Sequence, residues 1–286
     1  MTTIYPMLLF PTAFAGFVYS MRNKGYGGLI LCGAALIVPA CLSMLIHNLT
    51  VLFLICISCL IILTVAVAKG WFNVSKLCAL LILYISSAVV IFAIFTIQMG
   101  QWYAGIRSLN PTRVGYIATL IQQSLLNSRL IGEGLPVNGY GYPFPDANTD
   151  FILTYLIYKF GWIFSIGIIA IFSAFIIRAI VICKKQKSVL GLLVSLAIIS
   201  TFAIQCITYI AANLGFLLFA PVSLPLLSYG GRALITNMFL IGFLLSVFRT
   251  GNLARDKAGV SVAKSSRLIQ YDNGKIIIDL KAHFIK

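Results

Sequence analysis

Acidic side chains are nearly absent from this chain. Six Asp and Glu stand against 21 Lys and Arg in 286 residues, and charged residues make up only 9%, where a soluble domain carries about 25%. So few charges cannot cover a water-facing surface. With 60% hydrophobic residues and a mean hydropathy of +1.02, a soluble enzyme, a disordered chain and a secreted disulfide scaffold are all excluded. Histidine is scarce too: His47 and His283 stand alone, so no histidine metal cluster is available. The seven cysteines all fall in or at the ends of apolar segments. Cys56 and Cys59 have CxxC spacing, but no second pair or nearby His completes a zinc site. They read as small apolar side chains, and the expected metal site is none.

The net charge of +15 would suggest nucleic acid in a soluble protein. No basic stripe with interleaved aromatics lies outside the apolar segments, so nucleic acid is set aside as a partner. The cations read instead as the loops and tails that membrane proteins keep on the cytoplasmic side.

What the chain does have is apolar runs. Seven stretches, at 4–20, 27–46, 49–68, 77–97, 151–182, 188–214 and 231–249, approach the ~20 residues that a span needs. They are continuously apolar rather than alternating, which selects helices over a β-barrel. The expected fold is all-α: a polytopic membrane helical bundle of about seven transmembrane helices with one long outer loop. The membrane domain is expected over 1–249 and a cytoplasmic tail over 250–286. Arg22, Lys24, Lys69, Lys76, Arg178, Lys184, Lys185, Lys187 and the tail cations all face one side if that side is the cytoplasm. This puts 98–150 and 215–230 outside, the C-terminus inside and the N-terminus outside. Residues 1–20 have no cationic start or cleavage-like ending, so an odd number of missing upstream spans is expected.

Ile46, His47 and Asn48 leave room only for a tight turn between the second and third spans. The outer loop of 98–150 is far longer than ordinary connections. Its residues 112–127 have the spacing of an amphipathic helix, and 132–145 are rich in turn formers. In the tail, 269–272 and 275–278 flank Asn273-Gly274 and read as a small hairpin.

The acids confine the chemistry. Asp256, Asp272 and Asp279 lie in the tail; Glu133, Asp146 and Asp150 lie in the outer loop or at its edge. Spans without carboxylates argue against proton-coupled transport. Asp150 stands where loop becomes span, partly desolvated, and is the best general-base candidate. The competing role is an N-cap for the following helix. Lys159 lies nine residues later, inside the expected fifth span, about 13 Å along a helix. It is either a functional buried cation or one that snorkels to the interface. Arg107, Arg113 and Arg129 put positive charge on the outer side and suit an anionic partner such as a diphosphate. Between the last two spans, Leu224-Pro225-Leu226-Leu227-Ser228-Tyr229-Gly230-Gly231-Arg232 breaks helix, and such backbone at membrane depth lines cavities or forms an outer loop.

These two segments resemble a known family. Pro145-Asp146-Ala147-Asn148-Thr149-Asp150-Phe151 is similar to the Pro-Glu-Ala-His-Thr-Asp-Phe that ends the outer loop of the SEDS family (shape, elongation, division and sporulation), whose members include RodA and FtsW. Leu224 to Gly231 resembles the family's Leu-Pro-(apolar)₂-Ser-Tyr-Gly-Gly. Gln123-Ser124-Leu125, Gly132-Glu133-Gly134-Leu135 and Asn110-Pro111 resemble its Gln-Ser-Leu, Gly-Lys-Gly-Leu and Asn/Asp-Pro. The likeness is close over 100–250 and is one of hydropathy alone over 1–100. Family members have ten spans, so seven spans starting outside fit loss of the first three.

The resemblance implies peptidoglycan glycosyltransfer from lipid II at the outer face of the bacterial plasma membrane, in cell elongation, division or sporulation. It implies Asp150 as the catalytic base. Substrate contacts are expected from Arg107, Arg129, Lys159, Ser228, Tyr229, Gly230 and Gly231. Arg107, Arg129 or a divalent cation (Mg or Mn) would stabilise the leaving diphosphate, and a class B penicillin-binding protein is the implied partner. The departures are Asn148 for His, Ile157-Tyr158-Lys159 for Gly-Glu-Glu, Arg232-Ala233 for Ser-Ser and His47-Asn48 for Pro-Asp. They support a competing reading as a diverged, catalytically impaired membrane scaffold. A lipid-linked precursor transporter is the third reading. It would need a hydrated path, for which Gln205, Thr208, Asn213 and Asn237 are the main polar residues; these serve equally as hydrogen-bond glue between helices.

Overall fold

The computed structural model describes residues 8–45, 49–107, 113–135, 150–216, 223–228, 231–250, 269–272 and 275–278. The helices are Phe10–Met21 (α1), Gly25–Ala35 (α2), Ile37–Leu45 (α3), Leu49–Ala68 (α4), Lys76–Arg107 (α5), Arg113–Leu126 (α6), Ile152–Phe160 (α7), Trp162–Lys184 (α8), Val189–Asn213 (α9) and Gly231–Thr250 (α10). In the tail, β1 (Ile269–Asp272) and β2 (Lys275–Ile278) pair antiparallel, with Asp272 opposite Lys275. Among the described residues, six segments are long and apolar enough to cross a membrane: Gly25–Ser43, Leu49–Ala68, Lys76–Gly100, Trp162–Lys184, Val189–Asn213 and Gly231–Thr250. The protein is an all-α polytopic membrane bundle.

The stretch expected as a first span over 4–20 is represented by α1, with residues 1–7 outside the described part. The turn at 46–48 also lies outside it. The second expected span is broken between α2 and α3. Pro39 explains the break: it has no N–H to return to Ala35, and proline is tolerated only in the first turn of the new helix. The fourth runs on past 97 to Arg107. Its 32 residues span about 48 Å, well beyond a bilayer core of ~30 Å, so the start of the expected outer loop is helix.

The fifth expected span needs correction. It is not one helix over 151–182 but two, α7 and α8, divided at Gly161. Gly161 has φ +92°, a conformation open to glycine and strained for other residues. Lys159 therefore lies in the short helix before the span, and it is half-exposed rather than buried.

α9 is the centre of the bundle, and α1, α4, α8 and α10 pack round it. Its first turn is capped by Ser188, whose side chain accepts from Gly191 N–H at 3.2 Å. Buried small residues along it, Ser195, Ala197, Ser200, Thr201 and Ala212, let neighbouring backbones come close, which is how membrane helices associate without a hydrophobic drive. The facing residues of α4 are Ile55, Cys59 and Ile62, joined by Phe14 and Val18 of α1 and Leu240 and Leu244 of α10. Leu81, Ile85 and Phe92 of α5 and Ile163, Ile166 and Ile171 of α8 are exposed, as a lipid-facing surface requires.

Candidate active site

The site is built at the far end of α9. Three polar residues there, Gln205, Tyr209 and Asn213, recur every four residues and so share one face. All three are fully buried. Each holds a segment that the sequence singles out. Gln205 donates from Nε2 to the Ser223 carbonyl at 2.7 Å. The Tyr209 hydroxyl accepts from Leu153 N–H at 3.4 Å and also interacts with the Ser228 side chain. Asn213 Oδ1 accepts from Thr154 N–H at 3.0 Å, and its Nδ2 donates to the Asp150 carbonyl at 3.2 Å. The start of α7 and the loop 223–228 are thus brought to one helix end. Leu153, Ile157, Tyr209 and Leu224 pack together in its apolar floor.

Asp150 sits half-buried immediately before α7. The N-cap of α7 is Phe151, whose side chain makes no capping hydrogen bond. The orphan N–H groups of Leu153 and Thr154 go instead to Tyr209 and Asn213 on α9. A helix start needs such partners, and here a second helix supplies them. Residues 136–149, including Asp146 and Asn148, lie outside the described part.

Lys159 does not meet Asp150. Its Nζ lies 2.6 Å from Glu133 Oε1, with both side chains in reach of solvent. The resemblance has Lys where Glu133 stands and an acid where Lys159 stands. The two exchanges compensate, because the residues are partners. The pair fastens the strip 127–135 along the end of α7. Gly134 N–H donates to the Tyr158 carbonyl at 2.8 Å, Gly132 N–H to that of Phe160 at 3.3 Å, and Trp162 N–H to that of Arg129 at 3.2 Å. Reversing Lys159 to Glu is expected to loosen this strip, seen as faster amide exchange at Gly132 and Gly134. Adding Glu133→Lys to the same chain is expected to restore protection.

The hydrogen bond it donates to Glu133 is the main reason the Lys159 ammonium is held above the ordinary lysine value of 10.5. A raised folded-state value gives a contribution that is whole below 10.5 and lost as pH rises through the raised value. Comparing the melting of wild type and Lys159→Met is therefore expected to give a constant difference through neutral pH that fades in strong alkali.

The other expected contacts divide. Arg129 is exposed on the strip. Arg107 ends α5, with its side chain outside the described residues. Ser228 is buried and closes its own turn, accepting from Leu224 N–H at 2.8 Å. That turn carries Leu226 at φ +68°, a conformation uncommon for a leucine. Tyr229 and Gly230 lie outside the described part, and Gly231 opens α10. Among the described residues no three His, Cys, Asp or Glu side chains gather where an ion could be held. A Mg or Mn site needs several oxygen ligands. The described residues do not build one.

Sequence reasoning named Gln205 and Asn213 only as glue or as a path, and passed over Tyr209 and Thr154. The available signal was the four-residue spacing of 205, 209 and 213 within an otherwise apolar helix.

A family model described as "Cell cycle protein", covering FtsW, RodA and SpoVE, matches residues 7–252. The chain is 31% identical over 142 residues to a probable peptidoglycan glycosyltransferase FtsW of Trichlorobacter lovleyi, a match covering 48% of this chain and 36% of that relative. It is 35% identical over 105 residues to the stage V sporulation protein E of Bacillus subtilis, covering 37% and 29%. The chain thus spans only about a third of the length of the curated relatives it matches. Its fold is similar, with a TM-score of 0.63 at 18% identity, to a chain solved in work on the coordination of polymerization and crosslinking by a peptidoglycan synthase complex, covering 87% of this chain and 71% of that one.

Proposed function

The chain belongs to the FtsW, RodA and SpoVE family of cell cycle proteins, and from that premise we propose that it is a peptidoglycan glycosyltransferase that polymerises lipid II. The observation that carries this reading is the gathering at the end of α9 of Asp150 and the loop 223–228, held by Asn213, Tyr209 and Gln205. An aspartate held at the border of a bundle, half-buried, suits a general base. The Asp150 carboxylate takes the proton of the acceptor sugar's 4-hydroxyl. That oxygen bonds to the anomeric carbon of the donor chain, and the bond from that carbon to the diphosphate oxygen breaks. Undecaprenyl diphosphate leaves with the electron pair. Exposed Arg129 on the neighbouring strip offers a guanidinium to its charge.

On this reading the site faces outward across a bacterial plasma membrane, the C-terminal tail is cytoplasmic, and the partner is a class B penicillin-binding protein. Lys159 counts against part of it, since its charge is met by Glu133. That observation, with Arg232-Ala233 after the glycine pair, favours the scaffold as the second reading. The two separate in one experiment. Purified protein in nanodiscs is given labelled lipid II, with and without a class B partner. The enzyme consumes lipid II and releases undecaprenyl diphosphate. A scaffold binds the partner and leaves lipid II unconsumed.

A further inference from the structure

We propose that Asn213 is a positioning residue for Asp150, acting with Thr154 as a clamp that sets where the carboxylate stands; the proposal rests on the reading of Asp150 as base. Asn213 is fully buried at the last turn of α9. Burying an amide is costly unless its hydrogen bonds are met. Its Oδ1 accepts from the Thr154 N–H at 3.0 Å and lies 3.0 Å from Thr154 Oγ1, whose one hydroxyl proton it shares with the Asn213 carbonyl. Its Nδ2 donates to the carbonyls of Asp150 at 3.2 Å and Tyr209 at 3.1 Å. Thr154 is also fully buried, and its Oγ1 lies 2.9 Å from the Asn213 carbonyl, the nearer of the two acceptors.

Here the bonds converge on 150 and 154, which bracket the start of α7. That turn has no side-chain cap of its own at Phe151. Asn213 therefore fixes the backbone that carries Asp150, and fixes it to the helix face that also holds the loop 223–228 through Gln205 and Tyr209. The base and the second motif are registered against one rigid element. A displacement of ~1 Å in such a site costs about 100-fold in rate.

The test measures lipid II polymerisation kinetics in nanodiscs, per folded molecule, for wild type, Asn213→Ala, Thr154→Val, Thr154→Ser and Asp150→Asn. Asn213→Ala is expected to lower kcat by about 10-fold to 100-fold while KM and the binding of labelled lipid II hold. Thr154→Val is expected to lower kcat less, and Thr154→Ser, which keeps the hydroxyl, to restore it. If Asn213→Ala does not fold, the Thr154 pair gives the same reading. Wild-type kcat in folded Asn213→Ala or in Thr154→Val overturns the proposal. So does a loss in KM and binding that matches the loss in kcat. Full activity in Asp150→Asn overturns the base assignment itself, which the other variants do not touch.

Discussion

Asp150→Asn is expected to remove polymerisation while leaving the fold intact. The substitution is nearly isosteric. The bond that Asn213 makes to residue 150 goes to the backbone carbonyl, so the clamp survives the change. What is lost is the carboxylate and with it the proton acceptor. A positioned general base contributes about 100-fold to 10,000-fold in rate, and turnover is expected to fall by that much. Melting in detergent should stay close to wild type, because the buried polar partners of α7 are unchanged. Asp150→Glu keeps the carboxylate but moves it by a methylene, and is expected to fall between the two. The decisive comparison is initial rate at saturating lipid II across the three proteins. A rate lost together with folding would point to a structural role for residue 150.

The largest stability effect is expected at the junction of α7 and α8. Gly161 has φ +92°, and a Cβ there would lie 2.5 Å from the Leu130 carbonyl oxygen and 2.8 Å from Ile131 Cα. Both are backbone atoms that cannot swing aside. They belong to the strip that serves the start of α8, where Trp162 and Ile163 N–H donate to the carbonyls of Arg129 and Leu130 at 3.2 and 3.3 Å. Gly161→Ala thus meets a strained dihedral and a backbone clash at once, and relieving the clash breaks the cap of α8. The dihedral, φ +92° and ψ 171°, alone costs about 1–3 kcal/mol, and with the clash the total is expected to reach about 3 kcal/mol or more. That would lower the melting midpoint by roughly 10 °C for a chain of this size. Gly167→Ala is the control. It lies in α8 with nothing within 4 Å of the added atom, and replacing a mid-helix glycine is expected to be neutral or mildly stabilising.

The fold was legible where hydropathy is enough to decide it. Long continuous apolar runs have one solution in lipid, and α4, α8, α9 and α10 fall where those runs lie. What hydropathy cannot register is a break in backbone between two equally apolar stretches. Phe160 and Trp162 look like one span, and only the positive φ of Gly161 separates them. Pro39 gave a visible signal for the break at α3, and Gly161 gave almost none. The helix over 113–126 was legible from its polar–apolar spacing, and its buried Leu120, Ile121 and Ser124 show why the spacing exists.

The site was legible in part. Asp150 and the segment 224–231 stood out by residue type and by position at helix borders. Their joining through Tyr209 and Asn213 did not, because hydrogen bonds between residues about 60 apart leave no local pattern. Lys159 shows the opposite case. Its charge looked intramembrane only because the span was drawn through Gly161, and its partner Glu133 lay 26 residues upstream. The two exchanged charges were each visible as departures from the family pattern. Only the structure makes them one event.

The proposed role of Asp150, held at the end of α9, is that of the base in a lipid II polymerase. It is tested most directly by gel analysis of glycan strands made from labelled lipid II by wild type and Asp150→Ala, purified alike and shown to be folded alike. Strands are expected from wild type and none from Asp150→Ala. Strands of equal amount from both proteins would contradict it.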